Sequence, residues 1–203
     1  TNIFKPHEKT QARAFLNLPK NKNIILFGAM GALTDKNKGF DLLIKAIEKL
    51  PKKINKKTNL FVIFGANAKL NLQNFKFKPF IFDTLSDDTT LSLLYSSADV
   101  MVVPSRQENF PNTVLESMSC GTPAVSFKVG GISDLIDHNH NGYMAKKFNI
   151  NDLSYGIVQS LKKQKIFGNN ARKKVVKEFA IELITKKYIQ LYEKALKNNN
   201  DNF

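Results

Sequence analysis

Two short apolar runs, "NIILFG" at Asn23–Gly28 and "LFVIFG" at Leu60–Gly65, constrain the fold most, because each is rich in β-branched and aromatic residues and stops at a glycine. Runs of that length without an alternating polar face are what strands covered on both sides look like, and such strands belong to parallel sheets. Between them, "GFDLLIKAIEKL" sets Leu43, Ala46, Ile47 and Leu50 at the i, i+3, i+4, i+7 spacing of one helix face. The alternation continues. "FIF" (Phe80–Phe82) predicts a short third strand, and "VMVVP" (Val100–Pro104) a fourth. "SDDTTLSLLYSSAD" predicts a helix between them, opened by acidic and hydroxyl residues and carrying Leu91, Leu94, Tyr95 and Ala98. "PNTVLESMSC" then predicts a helix with Pro111 near its first position and Gly121 just past its end. "PAVSF" is a strand, "ISDLI" begins a helix, and "NGYMA" is a turn and strand. Strands alternating with helices at this spacing predict an α/β fold with a doubly wound, mainly parallel sheet.

Three segments are expected. Residues 1–22 are a polar lead-in, 23–178 the sheet domain, and 179–203 a C-terminal helix and tail. From Asn151 onward the pattern is helical only. In the last helix Ile184, Tyr188, Leu191 and Ala195 share a face, which should pack along a surface, whereas the terminal "KNNNDNF" is expected to be disordered. A chain of 203 residues with 42% hydrophobic residues and 16 Phe can bury one sizeable core, which excludes global disorder. No apolar run reaches the about 18 residues of a membrane span, and "TNIFKPHEKT" is not a signal peptide, so a cytoplasmic location is expected. The single cysteine, Cys120, has no internal disulfide partner and is taken as a packing residue at a helix end.

The formal charge is +14, from 31 Lys and Arg against 17 Asp and Glu, which raises the question of an anionic partner. Lysines in "PKKINKKTN" and "LKKQK" look like solvated faces, with neither an aromatic RNA-recognition signature nor zinc-finger spacing around them. Nucleic acid is therefore not the expected partner. An acidic membrane surface is the favoured specific target of the charge, which would place the protein peripherally on the inner membrane face.

The stretch "SRQENFPNTVLESMSCGTPAVSFKVGG", Ser105–Gly131, carries the candidate chemistry. In an open α/β sheet, ligands bind beyond the carboxyl ends of the strands. Pro104 ends a strand and Glu108 lies in the loop after it, while Glu116 is roughly 6 Å along the next helix from Asn112 at about 1.5 Å per residue. Gly130 and Gly131 follow the neighbouring strand and precede a helix. Unpaired amides and the positive dipole end at such helix starts favour a phosphate, and glycine lets backbone come close to it. One carboxylate on each side of that phosphate could accept hydrogen bonds from sugar hydroxyls, so the pattern suits a nucleotide-sugar.

Each of these residues also has a plainer role. Glu116 alone could be a first-turn acid favoured by the helix dipole, Glu108 a solvated loop carboxylate, and Gly130–Gly131 a tight turn, just as Lys38, which opens "KGFDLLIKAIEKL", could be one lysine among many. His138 and His140 in "DHNHNGY" sit in turn chemistry without a third ligand nearby, so no metal is expected. Ser105 lacks a G-x-S-x-G elbow and is not expected to be a nucleophile.

Glu108 and Glu116 stand eight positions apart, and this spacing resembles the E-x7-E motif of the retaining family 4 glycosyltransferases, whose fold is called GT-B. The text around them, together with "KGFDLLIKAIEKL" and "LLYSSADVMVVPS", is similar to that family over roughly Ile24 to Leu161. The resemblance implies a Rossmann-like, donor-binding C-terminal half of a two-domain enzyme that transfers a hexose from a nucleoside diphosphate sugar, with retained anomeric configuration, to a polysaccharide or glycolipid. It implies that Glu116 holds the ribose and Glu108 a hydroxyl of the transferred sugar. The backbone at Asn109, Phe110, Pro111 and Asn112 would lie near sugar and diphosphate, with Gly130 and Gly131 close by, and Lys38 would neutralise the leaving diphosphate. No metal and no cofactor beyond the donor is implied. Donor choice would rest on Thr84, Leu85 and residues 109–111.

Two departures from the family's text stand out. Ala32 occupies the place where an Arg commonly precedes the lysine by six positions, leaving Lys38 alone or with Lys36. "TNIFKP" looks like text that follows an interdomain linker, so an N-terminal domain of the same enzyme is an expected partner, without which the chain would bind donor weakly and not turn over. A sugar-nucleotide epimerase or phosphorylase of the same fold, and a basic module for nucleic acid or membrane, are the alternative functions.

Overall fold

The computed structural model describes residues 1–66, 78–85 and 87–200, with side chains as far as Lys197. Six strands, β1 (Asn23–Gly28), β2 (Asn59–Phe64), β3 (Phe80–Ile81), β4 (Val100–Val103), β5 (Ala124–Phe127) and β6 (Gly142–Ala145), form one sheet in the order β3-β2-β1-β4-β5-β6. Every neighbouring pair is parallel. The third strand is one residue shorter than the sequence suggests, pairing only Phe80 and Ile81 with Val62 and Ile63.

Eight α-helices surround the sheet among the described residues: α1 (Lys9–Phe15), α2 (Phe40–Glu48), α3 (Asp88–Ser97), α4 (Asn112–Ser119), α5 (Ile132–Leu135), α6 (Ile150–Lys162), α7 (Gln164–Glu178) and α8 (Ile181–Asn200). Strand order runs outward from β1 to β3 and then returns to β4 on the other side of β1. Right-handed crossovers therefore put α2 on one face and α3 and α4 on the other. The packing follows: α2 lies against α6, while α1 packs on α3, α3 on α4 and α4 on α7. Because both faces are covered, β4 is buried at all four positions and β1 at every position after Asn23. Tyr95, Phe61, Phe127 and Met118 fill the space between sheet and helices.

The lead-in is more structured than its polar composition suggests. Glu8 caps α1, its carboxylate accepting from the amides of Thr10 (3.0 Å) and Gln11 (2.6 Å). Arg13 is buried, which is why the pattern of apolar residues does not reveal this helix. Its guanidinium donates to the carbonyls of Ser97, Lys20 and Lys22, each at 2.9 Å, and to Asp99 Oδ2 at 2.7 Å. Asp99 also accepts from Lys9 Nζ (2.8 Å) and the Ile24 amide (2.6 Å). This cluster fastens α1 to the amino-terminal ends of β1 and β4.

The expectation that the last helix packs along a surface is corrected. Ile181, Tyr188, Leu191, Tyr192 and Leu196 of α8 are all more than half exposed. Of the expected face, Ile184 is half-buried while Tyr188, Leu191 and Ala195 are exposed. The helix also runs to Asn200, into the stretch expected to be disordered, and residues 201–203 of that stretch lie outside the described residues. Among the described residues no helix is long and apolar enough to cross a membrane.

The Arg13–Asp99 pair is 5% exposed on both sides, so removing Arg13 leaves a buried carboxylate with the partly exposed Lys9 as its remaining ion-pair partner. Arg13→Met is expected to lower unfolding stability by about 3 kcal/mol in urea titration, and Asp99→Asn added to it should cost less than the two single changes together.

Candidate functional site

Where strand order reverses, between β1 and β4, the loops beyond their carboxyl ends face each other across a crevice. The loop after β1 ends in a 3₁₀ turn at Lys36–Lys38, capped by the Asp35 side chain, which accepts from the Asn37 amide at 2.8 Å. Gly39 follows with φ +67°, and a Cβ there would collide with the carbonyl of Pro104. Glycine thus lets the β1 loop lie directly on the end of β4.

That approach brings Lys38 to Glu108, 70 positions away in sequence: Lys38 Nζ donates to Glu108 Oε1 at 3.1 Å. Ser105 Oγ donates to the same oxygen at 2.7 Å. The pair is largely withdrawn from solvent, with side-chain exposures of 27% for Lys38 and 12% for Glu108. Arg106 fastens the two loops together. Its amide donates to the Asn37 carbonyl (2.7 Å), and its guanidinium to the Lys36 carbonyl (2.6 Å) and to both carboxylate oxygens of Asp41 (2.8 and 2.7 Å). Those bonds hold the Asp41 carboxyl below its ordinary range.

The loop after β5 closes the arrangement from the other side. Gly130 has φ +49°, and a Cβ there would collide with the carbonyl of Glu108. The Gly131 amide donates to the Asn109 carbonyl at 2.9 Å. A cleft of about 540 Å³ opens between these loops, lined by Arg106, Glu108, Asn109, Lys128, Gly130 and Lys147 among others. Phe110 is partly exposed, with its ring 5.6 Å from that of Phe179. Pro111 is the N-cap of α4 rather than its first helical residue, and no side chain caps that start, so Asn112 opens the helix.

Glu116 lies further along α4 and does not join the Lys38–Glu108 network. Its Oε2 accepts from the Tyr95 hydroxyl of α3 at 2.8 Å. Burial pushes the Glu116 carboxyl above its ordinary range, the Tyr95 hydrogen bond draws it back, and the nearby charge of Asp88 raises it again. Tyr95 itself is driven well above the ordinary phenol range, by burial first and then by Glu116. The two glutamates are therefore held separately, Glu108 from the β1 side and Glu116 from α3, and of the two only Glu108 lines the cleft.

Sequence reasoning did not single out Tyr95 or Arg106, and it considered Ser105 only as a nucleophile. One signal was available for Tyr95, since a tyrosine on the apolar face of a helix needs a partner for its hydroxyl. Ala32 is fully buried, and the Lys36 carbonyl is taken by Arg106. Leu85 packs against the core. His138 Nδ1 accepts from the Met144 amide at 3.2 Å, and no cluster of three metal-ligating side chains occurs among the described residues.

Residues 8–177 match the family described as glycosyl transferases group 1. An uncharacterized glycosyltransferase of Methanocaldococcus jannaschii is 30% identical over 197 residues, which cover 93% of this chain and 49% of that protein. The chain thus spans about half the length of this curated relative. Sucrose-phosphate synthase from Thermosynechococcus elongatus superposes with a TM-score of 0.81 at 26% identity, covering 97% of this chain and 51% of the other. The structure of HepE from Anabaena in complex with UDP and glucose shares the fold at 19% identity, with a TM-score of 0.74 over 95% of this chain and 54% of the other. With the crossover sheet, the carboxylates on the α4 segment and these likenesses together, the chain belongs to the glycosyl transferases group 1 family and has the Rossmann-like architecture of a GT-B glycosyltransferase half.

Proposed function

We propose that this chain is the nucleotide-sugar-binding half of a retaining, metal-independent glycosyltransferase that passes a hexose to a polysaccharide or glycolipid acceptor. The observation that carries the reading is the Lys38–Glu108 contact at the switch point, which sets a cation and a carboxylate side by side at the rim where this fold takes its ligand. An ammonium has three donors, and Glu108 uses one of them, so two remain for diphosphate oxygens. As the sugar–phosphate bond breaks, negative charge grows on the departing diphosphate, and Lys38 stabilises it there. Glu108, held by Ser105 and Lys38 through Oε1, keeps Oε2 as an acceptor for a sugar hydroxyl. Glu116, fixed from α3, accepts the ribose hydroxyls at the nucleoside end. The backbone at Asn109, Phe110, Pro111 and Asn112 borders the sugar and diphosphate between the two carboxylates, and Gly130 and Gly131 admit them.

The UDP held by HepE supports a uridine or similar diphosphate sugar as donor. Acceptor contacts come from outside this chain in our reading, in keeping with its covering about half of its relatives. Lys128 and Lys147, on the open side of the cleft, suit an approach toward an acidic membrane surface, where a glycolipid acceptor would reside.

UDP at 100 times its dissociation constant is expected to stabilise the chain by about 2.7 kcal/mol in thermal-shift measurements, and short oligonucleotides should not. Glu116→Ala should remove most of that stabilisation; an unchanged UDP shift would reject the site. Lys38→Ala is expected to weaken UDP binding about tenfold while leaving uridine binding within about twofold, as calorimetry would show, because only the diphosphate meets the ammonium. Gly130→Ala should lower stability by about 1–3 kcal/mol and abolish the UDP shift, since no side-chain rotation relieves a clash with the Glu108 carbonyl.

A further inference from the structure

We propose that Tyr95 is a positioning residue for nucleotide recognition: its hydroxyl occupies Oε2 of Glu116 and so fixes the carboxylate with Oε1 left to accept the ligand's hydroxyls. The inference rests on the reading of Glu116 as the ribose-binding carboxylate. Tyr95 is fully buried in α3. Its ring is held edge-on by two others, Phe4 at 6.1 Å and 61° and Phe64 at 5.8 Å and 89°. Its carbonyl accepts from Thr122 Oγ1 at 2.7 Å, which ties the backbone as well. A ring confined in this way has no second rotamer to visit, so its O–H is fixed in space and Glu116 Oε2 is the acceptor at its end, 2.8 Å away. Packing alone would be served as well by phenylalanine; the hydroxyl's task is the carboxylate.

A carboxylate pinned at one oxygen loses little side-chain entropy when a vicinal diol binds the other, which is how preorganisation raises affinity. The ionised form is needed, because it accepts hydrogen bonds from both hydroxyls. Among the described residues, three ionisable groups face Glu116. Asp88 at the start of α3 disfavours its charge, as does burial. The Cys120 thiol, one turn further along α4, is pushed up to about 11 by burial and stays neutral. The Tyr95 hydroxyl is the one of the three that favours the charged carboxylate.

UDP affinity measured by calorimetry between pH 4.5 and 8 on the 203-residue chain tests this. In the wild type, binding falls as pH drops through the Glu116 titration. Tyr95→Phe removes only the hydroxyl, and it is expected to weaken UDP binding about five- to tenfold at pH 7 and to move the acid-side midpoint up by about one pH unit. UDP's own titration is common to every variant and cancels in the comparison. In a Glu116→Gln background the carboxylate titration disappears, and Tyr95→Phe should then leave the profile in place. A merely structural tyrosine would lower the melting temperature without moving the midpoint, and a Tyr95→Phe midpoint equal to the wild type's, with Glu116→Gln still abolishing the titration, overturns the proposal while leaving the ribose site standing. Should Glu116→Gln bind UDP like the wild type with the same profile, the site reading itself has failed, and the proposal with it. If circular dichroism shows Tyr95→Phe to be unfolded, Glu116→Asp draws the carboxylate back from the hydroxyl, and the midpoint should hold or rise although aspartate by itself titrates about 0.4 pH units below glutamate; a lowered midpoint there overturns the proposal.

Discussion

Strands β1 and β4 run side by side and parallel although two other strands lie between them in sequence. Parallel pairing leaves no freedom about where their following loops go, since both must emerge at the same edge of the sheet. The chain then fills that edge under tight steric rules. Gly39 rests on the Pro104 carbonyl and Gly130 on the Glu108 carbonyl, so three loops from three strands are stacked backbone upon backbone. Arg106 adds a charged clasp between two of them. The Lys38–Glu108 contact is a product of this stacking, because neither side chain could find the other without the strand order that precedes it.

The sheet was legible in the sequence because its strands are buried on both faces and therefore appear as uninterrupted apolar runs such as "NIILFG". Helices α2 and α3 were legible through their one-sided apolar spacing and through the acidic residues that open α3. Helix α1 was not, since the residue it buries most tellingly is Arg13, and a buried arginine is satisfied by carbonyls and Asp99 that lie far away in sequence. The packing of α8 was misjudged for the opposite reason: a helical stripe predicts that something should cover it but not that the cover belongs to the same polypeptide.

The site divides in the same way. The candidate residues Glu108 and Glu116 stand out in the sequence because their spacing is set within one strand–loop–helix unit, and the paired glycines because they follow the next strand. Ser105, Arg106 and Tyr95 serve those residues from neighbouring positions or another helix, and their importance becomes visible only when α3 and the β1 loop are folded against α4. The formal charge of +14 was a poor guide to location by comparison. Of the cationic side chains around the crevice, Lys38 and Arg106 are engaged with carboxylates, whereas Lys128 and Lys147 line its open side.

The segment entering the domain has a reach beyond its size. Phe4 leans on the Tyr95 ring, and its carbonyl is gripped by Ser119 Oγ at 2.8 Å and by Arg172 at 3.2 Å. The first few residues thus back the Tyr95 ring, whose hydroxyl in turn holds Glu116. A displacement of Phe4 would therefore be felt at that carboxylate as a mechanical shift passed on through one ring, and not merely as a loosened terminus.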